Sequence, residues 1–272
     1  MANVYYQLKN DINRVMKIKE KKRMKTPTVS LVTITQNNRF HSFQILYELI
    51  KHQTYQNIIE WIIVEGSNSQ ELASENKKNI KDFLEIHKLS FESKYIEFSG
   101  RKLGGLRNLA NENSSGDIIV CFDDDDYYPP ERVSHAVNKL KESDFLIGGV
   151  SAIYLYNFNF DKLFKFEAYS CKHSTNNCMA YKKEYLENHT YNPEACFAEE
   201  SSFTNNFSEH MVQFNANKTI IVIAHNNNTY NKNDLCSKAM NKEISYLKQV
   251  KKDITRYIPE KIFEKMKSIY NV

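Results

Sequence analysis

The sequence predicts an α/β protein whose sheet is covered by helices on both faces. Three observations predict it. Near-continuous apolar, β-branched runs recur at Val29–Thr35, Ile58–Glu65 and Asp117–Phe122, as parallel strands buried on both faces require. Stretches with helical spacing of apolar residues lie between them. The second half is more mixed, with short strand-like runs and a hairpin pattern.

The elements follow in order. Residues 1–25 are polar and basic: Arg14 to Lys25 carries seven basic residues and one acid. They read as a solvated amphipathic extension. "VSLVTIT", Val29–Thr35, reads as the first strand. In "FHSFQILYELIKHQ" the residues Phe40, Phe43, Leu46, Tyr47 and Ile50 fall on one helical face. "IIEWIIVE" is the second buried strand, closed by Gly66, and a polar helix is expected over about Ser69–His87. Lys94–Ser99 reads as a third strand. "KLGGLRNLANENSSG" reads as a glycine-opened helix ending near Gly116. The strand Asp117–Phe122 then runs into Asp123–Asp126, and Pro130 suits the first turn of a helix over Glu131–Lys141. Further on, "FLIGGVSAIYLYN", "KLFKFEAYS" and "NNCMAYKKEYL" suggest strands, and "CFAEESSFTNNFSEH" a loop leading into a helix. Thr219–Ala224 reads as a strand ending at His225. From Asp234 the pattern is basic and helical, with Ile244, Leu247, Val250, Ile254 and Ile258 as its apolar stripe.

Composition narrows the class. The chain has 272 residues, 41% of them hydrophobic, enough for one sizeable core. A formal net charge of +4 is too mild to call for nucleic acid. Five cysteines without a C-x-x-C pair fit a reducing compartment better than a disulfide framework. No apolar run nears the roughly 20 residues that span a bilayer, and no signal-peptide pattern opens the chain. A cytoplasmic location is the expectation.

The chemistry concentrates in "GDIIVCFDDDDYYPPERV". Adjacent carboxylates resist ionising together, so four aspartates at the end of a buried strand need compensation. Two readings follow from the residues alone. One is a solvated acidic turn at the start of the next helix. The other is a set of oxygen ligands for a hard divalent cation, at the strand end where open α/β sheets bind ligands. Other motifs fail. Tyr127 stands where a phosphatase-type D-x-D-x-T motif needs another residue. No EF-hand glycine or glutamate is in place, and Walker A, H-E-x-x-H and G-x-S-x-G patterns are absent.

Several stretches, in order over about Thr28–Asn231, together resemble an inverting nucleotide-sugar glycosyltransferase of the GT-A fold, in the family 2 group. "VSLVTITQNN" resembles the family's first strand, V-S-I-I-I-P-T-Y-N-R, with Thr35 and Asn37 matching. "EWIIVEGS" resembles E-I-I-V-V-D-D-G-S, with Glu65 in place of the aspartate pair. "KLGGLRNLANENSSGDIIVCFDDDD" resembles G-x-G-x-A-R-N-x-G-x-x-x-A-x-G-E-Y-I-x-F-L-D-x-D-D. "FAEESSF" resembles the E-D pair before the acceptor-side helix, with Glu200 where Asp is usual. "VIAHNNNT" resembles a late strand whose histidine can join the metal. Ile34 stands where the family has proline, and the arginine of the first motif comes one place late, as Arg39.

The resemblance implies a site. Thr35, Asn37, Glu65, Arg107, Asp123 and Asp124 would hold the donor, a nucleoside diphosphate sugar with UDP expected. Asp125 would be the first metal contact, with Asp123, Asp126 and His225 as further candidates for Mn2+ or Mg2+. Glu200, with Glu199 beside it, would be the general base, and the enzyme a hexosyltransferase. The acceptor would be a glycan, a protein or a small molecule. The expected organisation is a basic extension over 1–25, a GT-A domain over 26–232 and a helical extension over 233–272. Within that domain, 26–126 would be the nucleotide-sugar half and 127–232 the acceptor half. Membrane contact through the basic tail and self-association stay open. So do two other readings: a non-catalytic GT-A-like binding or scaffold protein, and a nucleotidyltransferase. The second usually carries a glycine-rich loop where this chain has "QNNRFHS".

Overall fold

The structure is a computed structural model that describes residues 26–226, 228 and 230–270. The basic extension 1–25, and any membrane contact through it, lie outside the described residues.

The first half alternates strand and helix: β1 (Val29–Thr35), α1 (Phe40–Lys51), β2 (Ile58–Glu65), α2 (Gln70–Ile86), β3 (Glu92–Ile96), α3 (Leu103–Glu112), β4 (Ile118–Cys121) and α4 (Arg132–Lys141). The second half holds β5 (Ile147–Gly149), β6 (Tyr154–Asn157), β7 (Lys162–Phe166), β8 (Ala180–Lys182), the single turn α5 (Glu200–Phe203), β9 (Met211–Gln213) and β10 (Ile221–Ala224). It ends with α6 (Lys232–Met240), β11 (Leu247–Val250) and α7 (Glu260–Tyr270).

Seven strands form one sheet in the order β3-β2-β1-β4-β8-β5-β9. β3, β2, β1 and β4 run parallel, and β8 is antiparallel to both β4 and β5. The mixed sheet that the GT-A resemblance implies is present. Alternate residues of the central strands point to opposite faces. Leu31, Trp61 and Val120 join one core with α1 and α4. Val32, Ile62 and Ile119 join another with Leu106 and Ala110 of α3. Both faces need apolar side chains, which is why these strands read as unbroken apolar runs.

Glu60 is the buried exception on β2. It accepts from Ser30 Oγ at 2.6 Å, Ser115 N–H at 2.6 Å and Lys94 Nζ at 2.7 Å. Burial pushes its pKa up, but these donors prevail and hold it at about 2.

A second sheet, β10-β6-β7-β11, lies along the later chain. A single antiparallel bridge, Tyr127 to Ile221, ties it to the residues after β4. The stripe from Ile244 to Ile258 is not one helix. Leu247–Val250 pairs antiparallel with β7, and Ile254–Arg256 forms a short 3-10 turn. Leu247 is buried while Lys248 and Gln249 are exposed, a pattern that an edge strand satisfies as readily as a helix. Among the described residues the C-terminal stretch from Asp234 is α-helical only in α6 and α7.

Candidate functional site

The site forms where β1, β2 and β4 end on the same side of the sheet. β4 closes at Cys121, and Phe122 N–H still bonds Val32 O at 2.9 Å. The chain then leaves the sheet, and the four aspartates divide among several partners, with Arg39 shared by Asp124 and Asp125.

Asp123 is the most accessible, its side chain 30% exposed, and accepts from Arg107 Nη2 at 2.9 Å. Asp124 accepts from Arg39 Nη1 at 2.9 Å, while its Oδ2 is buried with no hydrogen-bond partner among the described residues. Burial raises Asp124 to about 7 against the pull of Arg39. Asp125 Oδ2 lies 2.7 Å from the same Arg39 nitrogen, 3.0 Å from Asn228 Nδ2 and 3.6 Å from His225 Nε2. Burial pushes Asp125 up, yet Lys232 and Arg39 keep it well below the usual carboxylate range. Both Asp126 oxygens are taken by the fold: Oδ1 by Ile223 N–H at 2.9 Å, Oδ2 by Asn177 Nδ2 at 2.7 Å. The fourth aspartate thus staples the acid loop to β10.

Arg107 joins the two halves of the chain. It sits on α3, is buried, and donates through Nη2 to Asp123 and through Nε to Glu199 Oε1 at 3.3 Å. Glu199 lies 76 residues beyond Asp123 in sequence, so one guanidinium brings the acid loop and the acid pair together. Glu200 opens α5, and burial, then the neighbouring Glu199, raise it to about 7. Ala198, just before the pair, has φ 51°, a conformation that non-glycine residues seldom adopt and that often marks a functional turn.

Gly104 allows this arrangement. Its N–H donates to Ala195 O at 2.9 Å, and a Cβ there would lie 2.0 Å from Asn192 O. The loop before Glu199 can cross the start of α3 only because no side chain stands in the way.

The remaining sequence candidates divide. Thr35 ends β1 opposite Glu65, and Asn37 N–H donates to Ser67 Oγ at 2.9 Å. Asn37 also starts the short turn that carries Arg39 to the acids. Glu65 is fully buried, with one oxygen taken by Ser67 N–H at 2.6 Å and the other by Asn76 Nδ2 at 2.7 Å and the Tyr95 hydroxyl. Its geometry is that of a brace between β2, α2 and β3. His225 is buried at the end of β10, and burial lowers its pKa, so the ring is neutral at pH 7. Arg39, Asn228 and Lys232 are site residues that motif reading assigned no role.

Among the described residues no group of three or more acidic, His or Cys side chains stands in a metal-holding arrangement. The donor set nonetheless fits a hard divalent ion. A neutral imidazole and a carboxylate stand 3.6 Å apart, a separation that one ion with bonds of about 2.0–2.2 Å can span. Arg39 now supplies positive charge there, so an ion at Asp125 would share or displace that pair. Among the described residues no helix is long and apolar enough to cross a membrane.

Comparison with known proteins agrees with this architecture. No curated protein matches the sequence significantly. The mannosyltransferase PcManGT from Pyrobaculum calidifontis, solved with GDP-Man and Mn2+, superposes with a TM-score of 0.56 at 13% identity, over 75% of this chain and 59% of that one. TarS residues 1–349 from S. aureus, solved with UDP-GlcNAc, gives 0.52 at 16% identity, over 74% of this chain and 60% of that one. The chain therefore spans about three-fifths of each, and at these identities the likeness shows the fold: GT-A. Residues 30–198 match the profile of glycosyl transferase family 2. That match covers more than half of the sequence, and the chain belongs to glycosyl transferase family 2.

Proposed function

We propose that the chain is a metal-dependent, inverting glycosyltransferase that moves a hexose from a nucleoside diphosphate sugar, UDP-linked, to an acceptor hydroxyl. The observation that carries this is Arg107 bridging Asp123 and Glu199, which unites the D-x-D end of β4 with the acid pair of the acceptor half.

Asp125, Asp123 and His225 would hold Mn2+ or Mg2+. Such an ion, when bound, offsets the charge that gathers on the departing diphosphate. Arg107, buried and held charged by Asp123 and Glu199 against the cost of burial, adds fixed positive charge at the same place. Glu199 is spent on that ion pair, which leaves Glu200 as the base. With its pKa near 7, it is ionised in a useful fraction and still basic enough to take the acceptor proton. The acceptor oxygen bonds to the anomeric carbon as the bond to the diphosphate oxygen breaks. The proton ends on Glu200, the leaving pair on the nucleoside diphosphate, and the anomeric configuration inverts. UDP is favoured by TarS, solved with UDP-GlcNAc; the GDP-Man bound to PcManGT makes the base the first point to test. Five free cysteines fit a reducing compartment, and we place the enzyme in the cytoplasm.

The experiment is a turnover screen of UDP- and GDP-sugars with Mn2+, and the anomeric configuration of the product read by NMR. Turnover that is lost in Glu200→Gln, with an inverted product, is the expected result. Retention of configuration, or full activity in Glu200→Gln, refutes the assignment. Binding without turnover of any sugar nucleotide would favour a non-catalytic binding protein.

A further inference from the structure

The family match ends at residue 198, and nothing in it bears on the C-terminal helix. That helix nevertheless reaches the acid loop. Tyr270, the last residue of α7, is buried with its ring 3.9 Å from the His225 ring, centroid to centroid, and only 9° from parallel. Its hydroxyl lies 3.1 Å from Ser42 Oγ on α1 and 3.5 Å from the carbonyl oxygen of Asp125.

We propose that Tyr270 is a positioning residue of the sugar-transfer site, fixing the plane of the His225 ring and the main chain at Asp125. The proposal rests on the assignment of Asp125 and His225 to that site. A flat ring stack fixes the plane of the imidazole, and in that plane Nε2 faces Asp125 Oδ2 at 3.6 Å and Asn228 Nδ2 at 2.9 Å. A rotated ring would carry Nε2 away from both.

Tyr270 is itself held. Phe263, Met266 and Tyr270, spaced three and four apart, are the buried face of α7. Phe158, just after β6, lies with its ring 5.6 Å from Tyr270 and 5.4 Å from Phe263. The second sheet thus anchors the helix that sets the imidazole. A residue present for packing alone would not need a hydroxyl in this place, because a buried hydroxyl without partners is costly. This one has two.

The test compares Tyr270→Phe, Tyr270→Leu and the packing control Met266→Ala in the full chain. The first readout is the His225 Hε1 resonance, assigned by its loss in His225→Gln among the eight histidines. It is expected upfield through the tyrosine ring current in the wild type and in Tyr270→Phe, and at an ordinary position in Tyr270→Leu. The second readout is the Mn2+ concentration that half-saturates the thermal shift given by UDP. Tyr270→Leu should raise it about tenfold or more, as loss of a side chain that orients a metal ligand typically does. Tyr270→Phe, which keeps the ring stack but loses both hydroxyl contacts, should raise the Mn2+ requirement by less than Tyr270→Leu does, and Met266→Ala should lower the melting temperature without moving that requirement. An unmoved His225 resonance in Tyr270→Leu, or an Mn2+ requirement as unchanged there as in Met266→Ala, overturns the positioning role alone. A wild-type chain that neither binds nor turns over any sugar nucleotide with any divalent metal overturns the sugar-transfer reading and this role with it.

Discussion

Replacing Arg107 with alanine is predicted to weaken the fold and the site together. Its two ion pairs differ in burial. The Arg107 and Glu199 side chains are 7% and 6% exposed, whereas Asp123 is 30% exposed. Removing the cation strands Glu199 as a buried, uncompensated charge, which typically costs about 3–5 kcal/mol. Loss of the Asp123 pair adds about 1 kcal/mol or less, because water reaches that carboxylate. The two losses together amount to about 3–6 kcal/mol. At roughly 2–4 °C per kcal/mol for a chain of this size, the melting temperature should fall by about 6–24 °C. Thermal unfolding followed by circular dichroism at pH 7.5 measures it. The double variant Arg107→Met with Glu199→Gln removes both charges and should recover about 1–3 kcal/mol of the deficit. Turnover should fall about 100-fold or more in both variants, because the fixed positive charge facing the diphosphate is gone. If Arg107→Ala lies within about 1 kcal/mol of wild type, or the double variant is no more stable than the single one, the bridge does not carry the energy assigned to it.

Other predictions follow from single residues. In Glu200→Gln, kcat should fall about 100- to 10,000-fold, while wild-type kcat/KM should rise with pH through about 7 as Glu200 loses its proton. Because the folded state raises the Glu200 pKa, ionising it costs stability as pH climbs from about 4.5 toward 7. Glu200→Gln should therefore be about 1–3 kcal/mol more stable than wild type at pH 8 and equal to it at pH 4. Glu60→Gln should lose about 1.5–3 kcal/mol at pH 7 through its weakened bonds to Lys94, Ser30 and Ser115. Since its folded pKa is depressed to about 2, that difference should shrink as pH falls below about 4.5 and vanish near 2; urea titration across pH reads it. Gly104→Ala forces backbone at Asn192 to move. It should cost turnover more than stability, with limited proteolysis showing cleavage in the loop before Glu199.

Much of the fold was legible because the central strands obey a simple rule. β1, β2 and β4 are buried on both faces, so Leu31 and Val32, or Trp61 and Ile62, must all be apolar and the runs stand out. α1 was legible because Phe43, Leu46, Tyr47 and Ile50 must share one face. The edge strand β11 was not, since Leu247 with polar neighbours suits either period. Around the site, sequence order located the aspartates and the acid pair but not their partners. Arg39 reaches Asp124 across 85 residues, Asn228 reaches Asp125 across 103 and Tyr270 across 145. No local pattern encodes such contacts. The same holds for which aspartate faces inward. Four identical residues carry no periodic signal, and only the third dimension ties Asp126 to Ile223 and Asn177 and Asp123 to Arg107.

The central claim is that the acid loop at the end of β4 binds a nucleoside diphosphate through a divalent metal held by Asp125. Titration calorimetry of UDP into the full chain, with saturating Mn2+ and again with excess EDTA, tests it most directly, alongside Asp125→Asn. The account predicts binding with Mn2+ that weakens about 10- to 100-fold both in EDTA and in Asp125→Asn, as loss of a metal-held ligand requires. Equal affinity for UDP with Mn2+, with EDTA and in Asp125→Asn would contradict it.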